Sequence, residues 1–382
     1  MGFINSVSNF IASNNIADGL KAPNGFPWQQ IIMRGLDFVQ NYGWRILLFA
    51  VLIKVALSPL DIYSRVKMRK NARITLSLQD KLSSLKKACG DDKMAYYQKE
   101  MQLKKQEGFS MFGFCLPMLV SLVLSIWVWQ SVRAISEFKN MQQYLQWYDV
   151  YVQALQDKGF DKFTQNAEEQ KIGQQAVVDF YAKNGNKDSF LTVKNIWIAD
   201  VPWASSVNNS NDFKGRVGSY NNSSKIDGID DGEFNDIIAQ YDVVTLQLRD
   251  SKENSHNGFM ILIVFSAGAL LLSQILMQKL QRTGGMPTMA PTDNQFLQGM
   301  QTQMKMMVYI MPAIMGVFMV FQPAAFTLYM GVGSMTTLII NQVSTRILKM
   351  LDKQKEHNQL TKVQKYGRPD PKNIIDKEFD KD

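Results

Sequence analysis

Cysteine and histidine are scarce in this chain of 382 residues, which has two of each. Cys89 lies in a basic segment and Cys115 in an apolar one, so the sequence predicts neither a disulfide nor a cysteine-based metal site. His256 and His357 are far apart in the sequence, which argues against a metal centre. The sequence also lacks the patterns of a nucleophile elbow, a P-loop, a zinc protease and a dinucleotide-binding loop. We therefore expect no metal, no cofactor and no enzymatic bond chemistry.

Charged residues are missing from three long stretches, 108–132, 257–278 and 306–345, which contain 25, 22 and 40 residues. About 20 apolar residues suffice to cross a bilayer. The longest stretch exceeds one helix and is interrupted at Gln322-Pro323, which predicts two antiparallel helices. A further apolar run extends over 42–63. The sequence therefore predicts an all-α membrane protein with five transmembrane helices, and it excludes a single soluble core.

The pattern of apolar runs divides the chain into ten parts. They are an outer N-terminal segment with an amphipathic helix (1–41), a first span (42–63), a helical hairpin (64–107), a second span (108–132), an insertion of mixed structure (133–256), a third span (257–278), a loop (279–305), a fourth span (306–322), a fifth span (323–345) and a basic tail (346–382).

The distribution of charge predicts the orientation of the spans. Basic residues outnumber acidic ones by 12 to 6 in 61–107, by 3 to 1 in 279–305 and by 10 to 7 in 346–382. Segments rich in lysine and arginine stay in the cytoplasm, whereas 136–256 has 12 basic and 18 acidic residues and should lie outside. We expect a plasma membrane protein with its N-terminus outside and its C-terminus in the cytoplasm. Residues 1–41 have no apolar run after a basic region, so we expect no cleavable signal peptide.

Two soluble segments show helical periodicity. Residues 28–41 place apolar side chains on one face, which predicts an amphipathic helix on the membrane surface. Segment 64–107 is interrupted once, at 89–93, and predicts an αα-hairpin. We expect its two arms to pack through two apolar stripes, Leu76, Leu78, Leu82 and Leu85 on one and Met94, Tyr97, Met101 and Leu103 on the other. Its basic faces suit anionic lipid headgroups.

The acidic insertion has a less regular pattern. Residues 144–155 and 166–181 favour helices, and 195–199 favours an extended segment. Residues 205–233 are rich in Asn, Ser, Gly and Asp without periodicity, which predicts a flexible loop. Four acidic residues there do not fit an EF-hand, because Ile229 occupies a ligand position, so we expect a solvated acidic loop: Asp227, Asp230, Asp231 and Glu233.

Lys54 is the most informative residue, because it lies near the middle of the first span. A cation at that depth is disfavoured by about 2.5–3.5 kcal/mol, and it lies roughly 14 Å from either end of the span, beyond the reach of a lysine side chain. Ser58 and Asp61 follow on the same helical face. The lysine should therefore face a water-filled cavity or a polar partner.

Other spans carry polar residues that are individually weak signals, since small hydroxyls also serve helix packing. They are Ser121 and Ser125 on the second span, Ser273 and Gln274 on the third, and Ser334, Thr337 and Asn341 on the fifth. Together they predict a hydrophilic groove within the bilayer. Such a groove would lower the barrier to carrying a polar peptide partway across, while an apolar segment moves sideways into lipid.

Five motifs resemble the YidC-type membrane protein insertases of the Oxa/Alb superfamily. They are 52–60 with Lys54 and Pro59-Leu60, Gly90-Asp91-Asp92-Lys93, Glu107-Gly108 with Gly113 and 115–119, Asn195 to Val201, and Pro323-Ala324-Ala325 with Leu328-Tyr329. The resemblance covers about 42–132 and 195–345. The chain departs from the family pattern at four places: it has lysine at 54 where arginine is usual, Ser110-Met111 where Asn-Pro is usual, Phe114 where glycine is usual, and Met330 where an aromatic residue is common. It also has extra outside blocks at about 140–190 and 205–255.

The resemblance implies an insertase and folding helper whose partners are nascent membrane proteins and lipids. The ribosome and a Sec-type channel are candidate partners, and we expect no DNA partner. We expect Lys54 to attract the acidic flank of a client and the hairpin to receive it. The candidate groove residues are Lys54, Ser58, Asp61, Ser121, Ser125, Gln274, Tyr329 and Thr337.

Two alternatives belong to other functional classes. A small-solute transporter or channel would use Lys54 to bind an anion, and it would favour broken helices or inverted repeats, which the sequence does not show. A non-translocating membrane scaffold would use the insertion as an outside binding module. Deleting 205–255 would distinguish this scaffold from an insertase, because an insertase should tolerate the deletion and a binding module should not.

Overall fold

The computed structural model describes residues 16–90, 92–109, 112–283 and 309–366. Predictions for 1–15, for most of the 279–305 loop and for the end of the tail fall outside these ranges. The side chains of Ser121 and Cys115 also lie outside the described part of the chain.

The regular elements of the described residues are helical, apart from the isolated bridges Leu20 to Ile226 and Phe190 to Val193. The all-α prediction is confirmed to that extent. Helices of eight or more residues are labelled in chain order: α1 Tyr42–Ser77, α2 Gln79–Cys89, α3 Lys93–Gln106, α4 Phe112–Gln156, α5 Ala167–Asn184, α6 Ser210–Val217, α7 Asp231–Ala239, α8 Tyr241–Asp250, α9 Ile261–Thr283, α10 Tyr309–Val320 and α11 Ala324–Tyr366.

Among the described residues, two helical stretches are long and apolar enough to cross a membrane, Tyr42–Lys67 in α1 and Ala324–Leu351 in α11. Ile261–Leu276 and Tyr309–Val320 are shorter apolar helices. The count of five spans and their orientation stay predictions.

The predicted amphipathic helix over 28–41 is shorter than expected. The helical turns Pro27–Gln30 and Ile31–Gly35 end at Gly35. Arg45 is buried and donates to the carbonyls of Met33 and Asp37, and its Nη2 lies 2.7 Å from Oδ1 of Asp37. Arg45 of α1 therefore holds the segment after Gly35 as a turn. The carbonyl of Asp37 in this segment accepts from the arginine and not from the N–H of a following helical turn.

The described chain forms two compact units. The first contains 16–57, 115–274 and 309–336, and the second contains 58–90, 92–109, 112–114, 275–283 and 337–366. α1, α4, α9 and α11 each contribute residues to both.

The acidic insertion builds a core of its own in the first unit. α4 runs on past the predicted second span and packs against α5 to α8 through buried aromatic rings. Phe213 of α6 stacks on Tyr241 of α8 with ring centroids 4.1 Å apart, and Tyr144 of α4 lies 4.8 Å from Tyr241. These rings bury apolar surface, which stabilises the insertion as a helical domain.

Two predictions for the insertion are wrong. Residues 195–199 form turns and not an extended segment, and 205–233 contains α6 and the start of α7 and is not a loop. α6 has eight residues, too few to show periodicity, and it is held by burial of Phe213 and Val217.

The four acidic residues of that region have structural partners. Asp227 pairs with Lys21 at 2.9 Å, and Oδ1 of Asp230 accepts from the N–H of Glu233 at 2.8 Å as the cap of α7. Asp231 accepts from the hydroxyl of Ser223, and Glu233 lies 3.6 Å from Lys162. Asp227, Asp230 and Asp231 are solvent-exposed, as expected for a solvated segment, but the segment is not a loop throughout, because α7 begins at Asp231.

The hairpin of α2 and α3 lies in the second unit. Gly90 takes a φ of 55°, and Oδ1 of Asp92 accepts from the N–H groups of Met94 and Ala95 at 3.1 and 3.0 Å. Gly90 supplies the turn at the interruption that the sequence places at 89–93, and Asp92 is the N-cap of α3.

One predicted apolar stripe of the hairpin does not pack as expected. Met94, Tyr97 and Met101 are 72, 47 and 38% exposed, whereas Leu103 is half-buried. Leu85 and Leu103 line the groove between α2 and α3, so the exposed stripe lies on another face of α3. The prediction that all four residues of this arm face the other arm is therefore wrong.

Candidate functional site

Lys54 lies on the apolar part of α1 and its side chain is half-buried. Gly333 of α11 leaves room for it: a Cβ atom added at this glycine would lie 3.2 Å from Cε and 3.9 Å from Cγ of Lys54. Both residues belong to the first unit. The alkyl chain of the lysine therefore lies close to the α11 backbone at a position that has no side chain.

The polar face of α1 continues beyond Lys54. Ser58 and Asp61 follow four and seven positions later, and both are half-buried. This spacing places the three residues on one helical face. Ser58 and Asp61 belong to the second unit.

Sequence reasoning missed Arg65, which lies eleven positions after Lys54 and therefore on the same face. Its side chain is 8% exposed, and Nη1 donates to the carbonyl of Asn341 at 3.2 Å and to Oγ1 of Thr345 at 3.4 Å. Arg65, Asn341 and Thr345 all lie in the second unit. The helical spacing of Lys54, Ser58 and Asp61, continued past the end of the apolar run, would have predicted that Arg65 lies on the same face.

The other predicted groove residues have different environments. Ser125 and Thr337 are half-buried, and Gln274 is exposed. Tyr329 is 3% exposed, with its ring 6.1 Å from Phe49 and 6.5 Å from Phe326. Tyr329 is thus buried in the apolar core of the first unit.

Several hydroxyls of the apolar helices bond to their own backbone. Ser334 donates to the carbonyl of Met330 at 2.7 Å, and Ser273 donates to that of Leu270 at 2.8 Å. A hydroxyl donating to the preceding turn requires no water for its proton. Ser334 and Ser273 are therefore weak evidence for a water-filled groove.

Two of the motifs that carry the resemblance meet in the first unit. The N–H groups of Ala324 and Ala325, at the start of α11, donate to the carbonyls of Ile198 and Ile196 at 3.0 and 2.8 Å. The first N–H groups of a helix have no partner within it. The turn at 195–201 supplies acceptors for them, and so it positions the helix that carries Gly333.

The same turn also positions α9. Asp200 is fully buried, and its carboxylate oxygens accept from the N–H groups of Met260 at 3.1 Å and Leu262 at 2.7 Å. A carboxylate at a helix N-terminus satisfies free N–H groups and interacts favourably with the helix dipole. The sequence showed no signal for this role beyond the motif itself.

The hairpin carries an open groove of about 470 Å³ between α2 and α3. Leu85 and Leu103 contribute apolar surface to it, and Lys81 and Lys99 contribute charge. The groove therefore combines apolar contact with positive potential.

Comparison with known proteins gives matches over part of the chain. The family model described as 60Kd inner membrane protein matches residues 35–185, a range that includes Lys54, Arg65 and the hairpin. A membrane protein insertase YidC from Laribacter hongkongensis is 30% identical over 133 residues, which are 33% of this chain and 24% of that protein.

Other relatives give similar values. A YidC from Neisseria gonorrhoeae is 31% identical over 137 residues, again 33% of this chain and 24% of the relative. One from Xanthomonas euvesicatoria is 38% identical over 89 residues, 22% of this chain and 14% of the relative. The matched region thus spans about a quarter or less of the length of these relatives. No solved structure matches the chain. Over residues 35–185 the chain is therefore similar to the 60Kd inner membrane protein family, and over shorter stretches it is similar to the membrane protein insertases named YidC.

Proposed function

We propose that the protein is a membrane protein insertase and chaperone that works without bond chemistry. The observation that carries the proposal is the position of Lys54: a half-buried ammonium on an apolar helix, packed against Gly333 and inside the family match. In this proposal five helices cross the plasma membrane, with the N-terminus outside and the hairpin and tail in the cytoplasm.

Lys54 would attract the acidic or polar flank of a nascent membrane protein. A cation in a region of low dielectric constant interacts strongly with an opposite charge, and it replaces part of the hydration that the client loses. Ser58, Asp61 and Arg65 extend the polar face of α1, and Ser125, Gln274 and Thr337 would contribute from other helices. The proposed path is a hydrophilic groove that opens to lipid.

The driving force would come from the client. Transfer of about 20 apolar residues into the bilayer is strongly favourable, so no nucleotide is required for the final step. The groove lowers the barrier for the polar flank, and the apolar segment then moves sideways into lipid.

The hairpin would receive the client first. The exposed stripe of Met94, Tyr97 and Met101 offers an apolar surface with adaptable methionine side chains, next to many lysines. Apolar segments of different shapes could bind such a surface. The ribosome and a Sec-type channel are proposed partners on the same side of the membrane.

A charge reversal at Lys54 tests the proposal. Lys54→Glu should abolish insertion of a client with an acidic flank, in vesicles or in a depletion strain, with normal amounts of the variant in the membrane. Lys54→Arg should retain insertion, since it keeps the charge. Lys171→Glu is the matched control, because Lys171 is an exposed lysine of α5 that pairs with Glu168 at 2.7 Å. Normal insertion by Lys54→Glu would refute the role of this residue.

A further inference from the structure

Leu191 has a left-handed backbone conformation with a φ of 53°. Residues other than Gly and Asn rarely adopt this conformation. It lies in a tight turn in which Phe190 and Val193 exchange two backbone hydrogen bonds of 2.8 and 2.9 Å. Its side chain is 75% exposed. A large apolar residue therefore occupies a position where both the backbone and contact with water favour Gly or Asn.

The turn is attached to the outer end of α1. The ring of Phe190 is buried on Gly43, where any side chain would overlap it, and it meets Trp44 edge-on at 5.4 Å. Asn41 accepts from the N–H of Gly43 at 2.9 Å and donates to the carbonyl of Ser189 at 2.7 Å. Leu191 is therefore held beside the first turn of an apolar helix long enough to cross a membrane.

A second pair of exposed rings lies at the start of α9. Phe259 is 57% exposed and lies two residues before the first residue of this helix, and Trp203 is 68% exposed. The N–H of Asn257 donates to the carbonyl of Ala204 at 2.6 Å, which holds the two rings in neighbouring segments. The N–H of Lys194 donates to the carbonyl of Asn257 at 2.9 Å, so this site is connected to the Leu191 turn.

We propose that Trp44, Leu191, Trp203 and Phe259 form an outer belt that binds lipid at the boundary between headgroups and acyl chains of the outer leaflet. All four lie at or beside the starts of apolar helices, where amphipathic aromatic rings favour the interface. Burial of Leu191 in acyl chains would offset its unfavourable backbone conformation. The belt fixes the insertion domain against the membrane. This inference rests on the membrane position of α1 and α9 and does not depend on insertase activity.

Depth-dependent quenching tests the belt in the full chain. With Cys89 and Cys115 replaced by Ala, Leu191→Cys is labelled with an environment-sensitive fluorophore and reconstituted in vesicles of phosphatidylethanolamine and phosphatidylglycerol. Lipids with a nitroxide near the headgroup should quench it several-fold more than the same probe on Leu246→Cys, an exposed apolar residue of α8 in the same domain. Equal quenching at the two positions would overturn the proposal. A surface that bound a protein partner and not lipid would give this result.

A second variant separates lipid contact from folding. Leu191→Asn suits the left-handed backbone, so the unfolding temperature should not fall, while a probe on Thr192→Cys should lose at least half of its quenching. Unchanged quenching in this background would show that Leu191 does not hold the turn in lipid.

Discussion

Asn195 and Asn257 exchange hydrogen bonds in the buried part of the first unit. The N–H of Asn195 donates to Oδ1 of Asn257 at 2.8 Å, and Nδ2 of Asn257 donates back to the carbonyl of Asn195 at 2.9 Å. The same Nδ2 lies 3.2 Å from the carbonyl of Ile198 and 2.9 Å from that of Ala199. One amide therefore closes the turn that supports the starts of both α9 and α11.

Asn257→Ala should destabilise the protein by about 3 kcal/mol, because it leaves buried backbone groups without partners. The measurement is thermal unfolding in detergent. Asn184→Ala is the control, since Asn184 is exposed and its Nδ2 donates to the carbonyl of Phe180 on its own helix at 3.0 Å. Equal unfolding temperatures for the two variants would contradict the central role of the turn.

Asp149 predicts a pH dependence of stability. Burial raises the pKa of this carboxyl from its ordinary value of 3.8 to about 7, although the N–H groups of Ala17 and Ile16 act in the opposite direction. The folded state thus holds a proton that the unfolded state releases near pH 4. The stability that protonated Asp149 contributes to the folded state is fully present below about pH 4 and is lost as the pH rises through about 7.

Asp149→Asn should flatten that slope, which for one proton is at most about 1.4 kcal/mol per pH unit. Chemical unfolding between pH 4 and 8 measures it. Asp157→Asn, at an exposed position just beyond α4, should keep the parental slope. A parental slope in Asp149→Asn would show that another group controls this range.

The exposed stripe of the hairpin makes a separate prediction. Replacing Met94 and Met101 by Gln should leave the helices intact, because both side chains are exposed, and should reduce crosslinking of α3 to a stalled nascent chain several-fold. Replacing the exposed Gln98 by Ala is the control on the same helix. Unreduced crosslinking would place client reception elsewhere.

Arg65→Ala should destabilise the second unit by about 2 kcal/mol, because the buried guanidinium bonds to the carbonyl of Asn341 and to Thr345. Arg65→Lys should recover only part of the loss, since an ammonium lacks the planar fork of donors. Arg133→Ala is the control, because this exposed arginine pairs with Glu137 on its own helix. An Arg65→Ala unfolding temperature equal to that of the control would refute the contact.

The helices that the sequence predicted best depend on local signals. The start of α1 at Tyr42, the position of Lys54 within it and the interruption of the hairpin at 89–93 follow from apolar runs and turn residues. The all-helical class of the described residues follows from the same signals.

The remaining features depend on contacts between distant residues. α6 is stabilised by stacking of Phe213 on Tyr241, and the burial of Tyr329 follows from its packing on Phe49. Arg65 lies beyond the apolar run 42–63, and the sequence pattern therefore placed it in the basic hairpin segment 64–107 and not on the polar face of α1. In each case the neighbour that decides the outcome is far away in the sequence.

Gly333 gives the sharpest test of the position of Lys54. Gly333→Ala should stabilise helix α11 by about 0.5–1 kcal/mol through helix propensity, yet the new methyl group would lie 3.2 Å from Cε of Lys54 and displace the ammonium. We therefore expect unchanged or higher thermal stability together with reduced client insertion, and a larger loss for Gly333→Val. Gly268→Ala is the matched control, because Gly268 lies in α9 with open space where its Cβ would be. If Gly333→Ala inserted clients as well as Gly268→Ala does, the placement of the lysine would not matter, and its role would reduce to its charge alone.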